Sequence, residues 1–453
     1  GSAVFEAINL QGVDMTLSFG TDGVRGPTPQ LLDEHFVACL ATAASDVLSV
    51  ERWILGRDTR ESGPALSQAI AQALAASGRS VVDAGVVPTP VVAHLSNRED
   101  SAGVVVSASH NLWSDNGVKI FAPGGRKLRD QEQLDIENRL TTLVKEASPS
   151  LNKPHGVVNG HPNPLQLWYA SIETALENRK LKDLHIVIDC ANGSASHIAE
   201  TLFTRLGARV EVIHASPDGR NINQHCGSTH PSTITNAVLA KQADLGLAVD
   251  GDADRLIAVA SDGTIINGDR QLCLFAKDLA QRNQLVNRSV VATIMSNLGL
   301  RQALEQEEIS LIEVPVGDRN VLAELDAGAA ILGGEQSGHL VFRRHATTGD
   351  GLLSGALLAD LVCRSRRNSS DLANEAMHQF PQVLINVPVT SKSAPLPERC
   401  NEEIVKTENR LGHTGRVLVR ASGTEPVIRI MVEAIEAAAA QREADHLANV
   451  IKR

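Results

Sequence analysis

Three aspartates alternate with small residues in the stretch AVDGDADR: Asp250, Asp252 and Asp254. In an extended segment the spacing i, i+2, i+4 turns alternate side chains the same way, so the three carboxylates are expected to converge. Converging carboxylates repel each other unless a cation joins them, and hard oxygen ligands suit Mg²⁺ or Ca²⁺. An EF-hand loop is excluded: its sixth position needs Gly, where Arg255 stands, and its twelfth needs Glu, where Ser261 stands. Three carboxylates leave a Mg²⁺ site under-filled, and that ion commonly completes its shell with water or a phosphate oxygen. A donor of such an oxygen is present in GVVVSASHNLWSDNGVK, where an apolar run ends in Ser107, Ser109, His110 and Asn111 and is followed by Lys119. A phosphorylated Ser109 would supply the missing anionic oxygen, with His110 and Asn111 beside it. Alone, the same residues read equally well as serines capping a turn; beside an acidic metal loop they read as chemistry.

Three further stretches could hold an anion or a polyhydroxylated ligand. FGTDGVRG sets Thr21, Asp22 and Arg25 among glycines, which let backbone N–H groups approach an anion that an arginine can clamp. GGEQSGH offers Glu335, Ser337 and His339 between glycines, a set that suits a sugar, although a plain turn is the competing reading. RASGTEPVIRIMVE places Arg420, Ser422, Gly423, Thr424 and Arg429 together. Its rival is a β-hairpin with exposed arginines, but Ser-Gly-Thr between two arginines favours a phosphate clamp.

The elements that must position these residues alternate strand and helix, the pattern of α/β domains. RWILGRD, SGPALSQAIAQALAASG and SVVDAG form one strand–helix–strand unit. LHIVIDCANGSASHIAETLFTRLGARVEVI repeats it, and ADLGLAVDGDADRLIAVASDGTII is strand, acidic loop, strand and turn. SVVATIMSNLGLRQALEQ begins another unit, and an Ala-rich helix closes the chain. At 453 residues the chain is too long for one core. Lapses in periodicity divide it into an α/β domain over 15–160 with the serine loop, a second over 161–262 with the acidic loop, a third over 263–372 with the GGEQSGH loop, and a fourth domain over 373–453. Residues 1–14, which open Gly-Ser and precede the first methionine, are expected to be partly a vector-derived remnant.

A hydrophobic share of 43%, a charged share of 21% and a net charge of −11 describe a soluble globular protein without the basic face that nucleic acid or an anionic membrane would require. No apolar run is long enough to span a bilayer and no signal-peptide pattern opens the chain, so a cytoplasmic location is expected. Six scattered cysteines with no CxxC pair are expected to be reduced and buried as small side chains.

With five motifs in one order from FGTDGVRG to RASGTEPVIRIMVE, the sequence resembles the α-D-phosphohexomutases along essentially its whole length. VGDRNV (316–321), NINQHCGSTHP and TTGDG (347–351) look like the glucosamine branch of that family rather than the glucose or mannose branch, which stands as the alternative. The resemblance implies three related α/β domains and a smaller α+β C-terminal domain around a central cleft. It implies an isomerase that interconverts glucosamine 6-phosphate and glucosamine 1-phosphate through a phosphoserine enzyme and a 1,6-bisphosphate, toward UDP-N-acetylglucosamine and cell-wall precursors. By the same resemblance Ser109 carries the phosphoryl group and joins Asp250, Asp252 and Asp254 in holding one Mg²⁺ per chain. Arg25, His110 and Lys119 line the transferring group, with Lys119 and His339 as proton carriers. Glu335 and Ser337 bind sugar hydroxyls, and Arg420, Ser422, Gly423, Thr424 and Arg429 hold the phosphate that is not reacting. Glucosamine or glucose 1,6-bisphosphate is the implied activator, a sugar phosphate the only implied partner, and a monomer or homodimer the implied assembly. Two departures stand out: the family usually has proline after Ser-His-Asn, where this chain has Leu112 and then Trp113, and Ala253 replaces the second glycine of the acidic loop.

Overall fold

The computed structural model describes residues 19–20, 23–145, 156–389, 398–421 and 427–452. The first sheet runs in the order Phe19–Gly20, Gly23–Pro27, Asp115–Ala122, Ala102–Val106, Arg52–Arg57, Ser80–Val86, Val158–Gly160, with Arg126–Lys127 added on Asp115–Ala122. Its centre, Ala102–Val106, is buried at every position, as a strand covered on both faces must be. The strand period of two divides the residues between those faces. Trp53, Leu55, Val104 and Val106 join the core under helices Glu34–Leu48, Gly63–Ala76 and Asp130–Lys145, while Ile54 and Val105 join the core under helix Thr89–Arg98.

The second sheet orders Arg209–Ile213, His185–Asp189, Leu245–Val249, Leu256–Ala260 and Ile265–Ile266, and the third orders Ser310–Val314, Ser289–Thr293, Leu332–Gly334 and Leu340–Phe342. All three share one plan. Parallel strands lead to a last parallel strand, which turns back into an antiparallel neighbour. The turns at that point are the serine loop in the first sheet, the acidic loop in the second and the Glu-Gln-Ser-Gly-His loop in the third. Each chemical loop therefore leaves the carboxyl end of the equivalent strand, the edge at which open α/β sheets bind ligands. One continuous core links the helix Thr89–Arg98 face of the first sheet to the second and third sheets, which fixes the three loops relative to one another.

The fourth sheet is antiparallel throughout, in the order Gln382–Pro388, Val427–Ala434, Gly415–Ala421. It packs with helices Glu398–Leu411 and Ala437–Lys452 over a small core of its own that includes Val387, Val417, Ile430, Val432, Ala444 and Leu447. Five of the six cysteines are buried, but Cys363, near the end of helix Gly351–Ser365, is only half-buried, contrary to the expectation for all six. No helix among the described residues is long and apolar enough to cross a membrane.

Candidate active site

Ser109 lies three residues beyond strand Ala102–Val106, fully buried and in the left-handed backbone region at φ 53°. That conformation is uncommon for a residue with a side chain and needs its surroundings to hold it. The holding is done largely by one buried arginine. Arg60 pairs with Asp58 at 2.9 Å and donates from its two terminal nitrogens to the carbonyls of Leu112 (2.5 Å), Asp115 (3.1 Å), Ser109 (3.1 Å) and Asn111 (2.9 Å). Asp58 also accepts from the Ser107 hydroxyl at 2.6 Å, whose oxygen accepts the Ser109 N–H at 3.0 Å. From the second unit, Asn223 Nδ2 donates to the carbonyls of Ser109 and Asn111 at 2.8 and 2.9 Å. A planar guanidinium on four carbonyls shapes this loop without the proline that the resemblance led us to expect.

The Ser109 hydroxyl, so placed, donates to Asp250 Oδ2 at 2.5 Å and lies 3.4 Å from His110 Nδ1. The acidic loop is not extended, contrary to the sequence expectation. Asp250 O accepts the Ala253 N–H at 3.0 Å and Ala253 sits at φ 56°, so the chain makes a turn. The carboxylates converge all the same, because the turn wraps them inward: ligand oxygens of Asp250, Asp252 and Asp254 lie within 4.8 Å of one another, all buried. Gly251 is required by this contact, since a Cβ there would lie 2.7 Å from the Ser109 carbonyl oxygen.

Lys119 reaches from strand Asp115–Ala122 to bridge Asp252 Oδ2 and Asp254 Oδ2, both at 2.7 Å, and Thr89 donates to Asp252 at 2.5 Å. Burial, reinforced by Asp254 and Asp252, pushes Asp250 up to about 8. Burial also opposes ionisation of Asp252 and Asp254, but the Lys119 ammonium overcomes it and holds both below the ordinary carboxylate value. Burial disfavours the Lys119 charge in turn, and the two aspartates more than restore it, raising its pKa. Among the described residues, Asp252 Oδ1 and Asp254 Oδ1 are buried with no hydrogen-bond partner. Two orphaned carboxylate oxygens in an all-oxygen cluster fit a hard divalent cation such as Mg²⁺.

His110 is depressed to about 4 by burial and then by the Arg255 and Arg25 charges, so it is neutral at physiological pH and Arg25 is electrically part of the site. Across the aspartates stands His339, buried in the third unit, with Nδ1 3.6 Å from Asp254 Oδ1 and Nε2 3.6 Å from Asp318 Oδ2. Burial disfavours its cation, but the two carboxylates prevail and raise its pKa. Gly349 N–H lies 3.3 Å from Nε2, where it donates to the neutral ring, so His339 has partners in both protonation states. Asp318 is in turn fixed by Lys127 at 2.5 Å. Glu335 is half-buried and accepts from Gly317 N–H at 3.2 Å, whereas Ser337 is exposed.

Arg420 and Arg429 face each other across antiparallel strands Gly415–Ala421 and Val427–Ala434, and Arg420 is lowered by burial and by the Arg429 charge. Like charges directly opposite on a sheet repel each other. Ser422, Gly423 and Thr424, like Thr21 and Asp22, lie outside the described residues.

Arg60, Asn223, Thr89, Lys127, Asp318 and Arg255 escaped the sequence reading. Asp58 and Arg60 stood one residue apart at the end of a predicted strand, and Asp318 stood inside VGDRNV, but neither stretch had been given a role. A second cluster, Asp189, His214 and Cys226, also lies within 4.8 Å. There Asp189 already accepts from Ala191 and Gly227 N–H at 2.9 Å each, so it ties two loops together.

Comparison with known proteins finds relatives along nearly the whole chain. Four descriptions of phosphoglucomutase/phosphomannomutase match in order: α/β/α domain I over residues 16–147, domain II over 166–263, domain III over 267–380 and the C-terminal domain over 384–450. The chain belongs to the phosphoglucomutase/phosphomannomutase family, the α-D-phosphohexomutases, and is an isomerase of that class. At full length it is similar to the phosphoglucosamine mutase of Thermobifida fusca, 44% identical over 97% of this chain and 98% of that one. The phosphoglucosamine mutase of Kineococcus radiotolerans is 43% identical over 97% and 99%. Among solved structures, a phosphoglucomutase/phosphomannomutase family protein of Burkholderia thailandensis has a TM-score of 0.79 at 26% identity, covering 95% of this chain and 97% of that one. The N-acetylphosphoglucosamine mutase of Aspergillus fumigatus, crystallised with GlcNAc-6P and magnesium, shares the fold at a TM-score of 0.67 and 18% identity, over 96% and 95%.

Proposed function

We propose that this enzyme interconverts glucosamine 6-phosphate and glucosamine 1-phosphate through a phosphoserine at Ser109 and a 1,6-bisphosphate intermediate. The observation that carries the reading is the 2.5 Å bond from the Ser109 hydroxyl to Asp250 within a buried carboxylate triad. The choice of sugar rests on relatives at 43–44% identity that are phosphoglucosamine mutases. Asp250, Asp252, Asp254 and a phosphoryl oxygen on Ser109 would hold one Mg²⁺, which when bound neutralises charge on the phosphoryl oxygens. Arg25 and His110 line the transferring group. In the first transfer the Ser109 Oγ–P bond breaks and a bond from phosphorus to the sugar hydroxyl oxygen forms. The hydroxyl proton leaves to a base, and the serine oxygen regains a proton. Lys119, kept charged by Asp252 and Asp254, is assigned as donor toward the serine oxygen, and His339, between Asp254 and Asp318, as the second proton carrier. Glu335 and Ser337 take the sugar hydroxyls, and Arg420 and Arg429 with Ser422, Gly423 and Thr424 take the distant phosphate.

The bisphosphate then presents its other phosphate to Ser109, and the isomerised monophosphate leaves. Glucosamine or glucose 1,6-bisphosphate would activate the enzyme by phosphorylating Ser109 first. The division into four parts near residues 160, 262 and 372 and a cytoplasmic location belong to the same reading. Turnover of glucosamine 6-phosphate, glucose 6-phosphate and mannose 6-phosphate, measured in parallel with Mg²⁺ and a bisphosphate, tests it. A clear preference for the amino sugar is expected, and preference for a neutral sugar refutes the choice of substrate.

A further inference from the structure

The contacts that join Ser109 to the acidic loop cannot all survive the chemistry proposed above, on which this inference rests. The Ser109–Asp250 bond needs a free hydroxyl, which a phosphorylated Ser109 no longer has. Registry between the serine loop and the second unit must therefore come from groups whose protonation and covalent state do not change. They form a rim on the outer side of the serine loop. Thr59 donates to the Asn192 carbonyl at 2.6 Å, Glu61 N–H donates to the Gly219 carbonyl at 2.9 Å, and Asn223 holds the carbonyls of Ser109 and Asn111. The outermost contact is a three-part stack. Arg220 donates to both carboxylate oxygens of Glu61, at 2.9 and 3.0 Å, and its guanidinium lies 5.0 Å from the centre of the Trp113 ring. Trp113 is four residues beyond Ser109, Glu61 follows the loop-shaping Arg60, and Arg220 is three residues before Asn223.

We propose that Trp113 and Arg220, with Glu61, form a clasp that keeps the serine loop in register with the metal-binding loop while Ser109 gains and loses its phosphoryl group. Trp113 and Arg220 are thus positioning residues. With leucine at 112 the loop has no φ-locked residue after Asn111 to stiffen it. An exposed tryptophan, costly by itself, is accounted for as the face on which a guanidinium from the neighbouring unit rests. All three side chains are exposed, so removing one does not hollow out a core.

The test is a double-mutant cycle on the full-length protein. Trp113→Ala and Arg220→Ala are each expected to lower kcat by about two- to fivefold, the scale of one exposed cation–π contact, with KM little changed. The double variant should be no slower than the worse single one, and Trp113→Phe should retain most of the parent rate. Hydrogen exchange of segment 110–114, measured without substrate, should quicken equally in both single variants and no further in the double. Unchanged kcat in both single variants of an active parent overturns the clasp, as do single effects that multiply in the double variant. An inactive parent refutes the mutase reading instead, and the exchange cycle still decides the clasp.

Discussion

At Ser109 a hydroxyl is held in a left-handed, buried conformation with one short bond, to a carboxyl that burial keeps protonated well above the usual range. Ser109→Ala should leave the melting temperature within a degree or two of the parent yet cut kcat by about a thousandfold or more, the scale of losing an essential reacting group. A coupled assay and a thermal melt check both halves. Arg60 is the opposite kind of residue. Arg60→Ala strands Asp58 and frees four carbonyls, and is expected to cost about 3 kcal/mol or more in denaturant unfolding. Arg60→Lys should recover little of it, because an ammonium cannot reproduce the planar fork. The contrast explains what was legible at this scale. Asp250, Asp252, Asp254 and Ser109 stood out by residue type and spacing, and Lys119 and His339 by the family resemblance. Arg60, Asn223 and Lys127 did not, because their partners are backbone carbonyls or a carboxylate 49 to 191 residues away. Even the triad was predicted for a wrong reason: a turn, not an extended strand, makes its oxygens converge.

At the scale of elements, one strand–loop–strand return occurs in each of three sheets and delivers in turn Ser109, the acidic loop and the Glu-Gln-Ser-Gly-His loop. Strands and helices were readable from their periodicity. The antiparallel return was not, because a buried strand has the same apolar composition whichever way its neighbour runs. The acidic return should bind its cation as a unit. Millimolar Mg²⁺ is expected to raise the melting temperature of the parent, by an amount that grows with the logarithm of its concentration, and not that of Asp252→Asn. Helix Thr89–Arg98, which carries Thr89 to Asp252, also carries His94, depressed to about 4 by burial and then by Arg98. Its folded-state pKa lies below the unfolded value, so the unfolded chain binds the extra proton and stability is lost as pH falls from about 6.5 toward 4. His94→Gln should therefore lose less melting temperature than the parent over that window. An equal loss in both proteins would clear His94 of the effect.

Across the whole molecule, the buried carboxylate of Glu433 is a centre of the contacts that fasten the fourth sheet to the third unit. Glu433 accepts from Asn297 Nδ2 at 3.0 Å, Leu298 N–H at 3.1 Å, Gln382 at 3.0 Å and Arg416 Nε at 3.0 Å, while Arg416 also donates to the carbonyls of Ile294 and Ser296. Glu433→Ala should loosen the docking of the sheet that bears Arg420 and Arg429, at a cost of about 3 kcal/mol. The expected readouts are a raised KM for sugar phosphate and faster proteolysis around residues 376–382, with the first three units still melting together. That the chain holds several α/β parts was legible in its length and in its alternation of strand and helix. The fastening was not, because Asn297 and Arg416 belong to stretches with no motif, and Glu433, the last residue of RASGTEPVIRIMVE, was given no role there.

In the proposed reaction Ser109 carries the phosphoryl group between the two positions of one sugar. Its most direct test is a single-turnover transfer. Enzyme labelled from a radioactive bisphosphate in Mg²⁺ is mixed with unlabelled glucosamine 6-phosphate, and the label is followed on the Ser109 peptide and on the sugar. Label is expected to reside on Ser109 and to pass to the sugar at least as fast as kcat. Label on another residue, or label that stays on Ser109 while turnover proceeds, would contradict it.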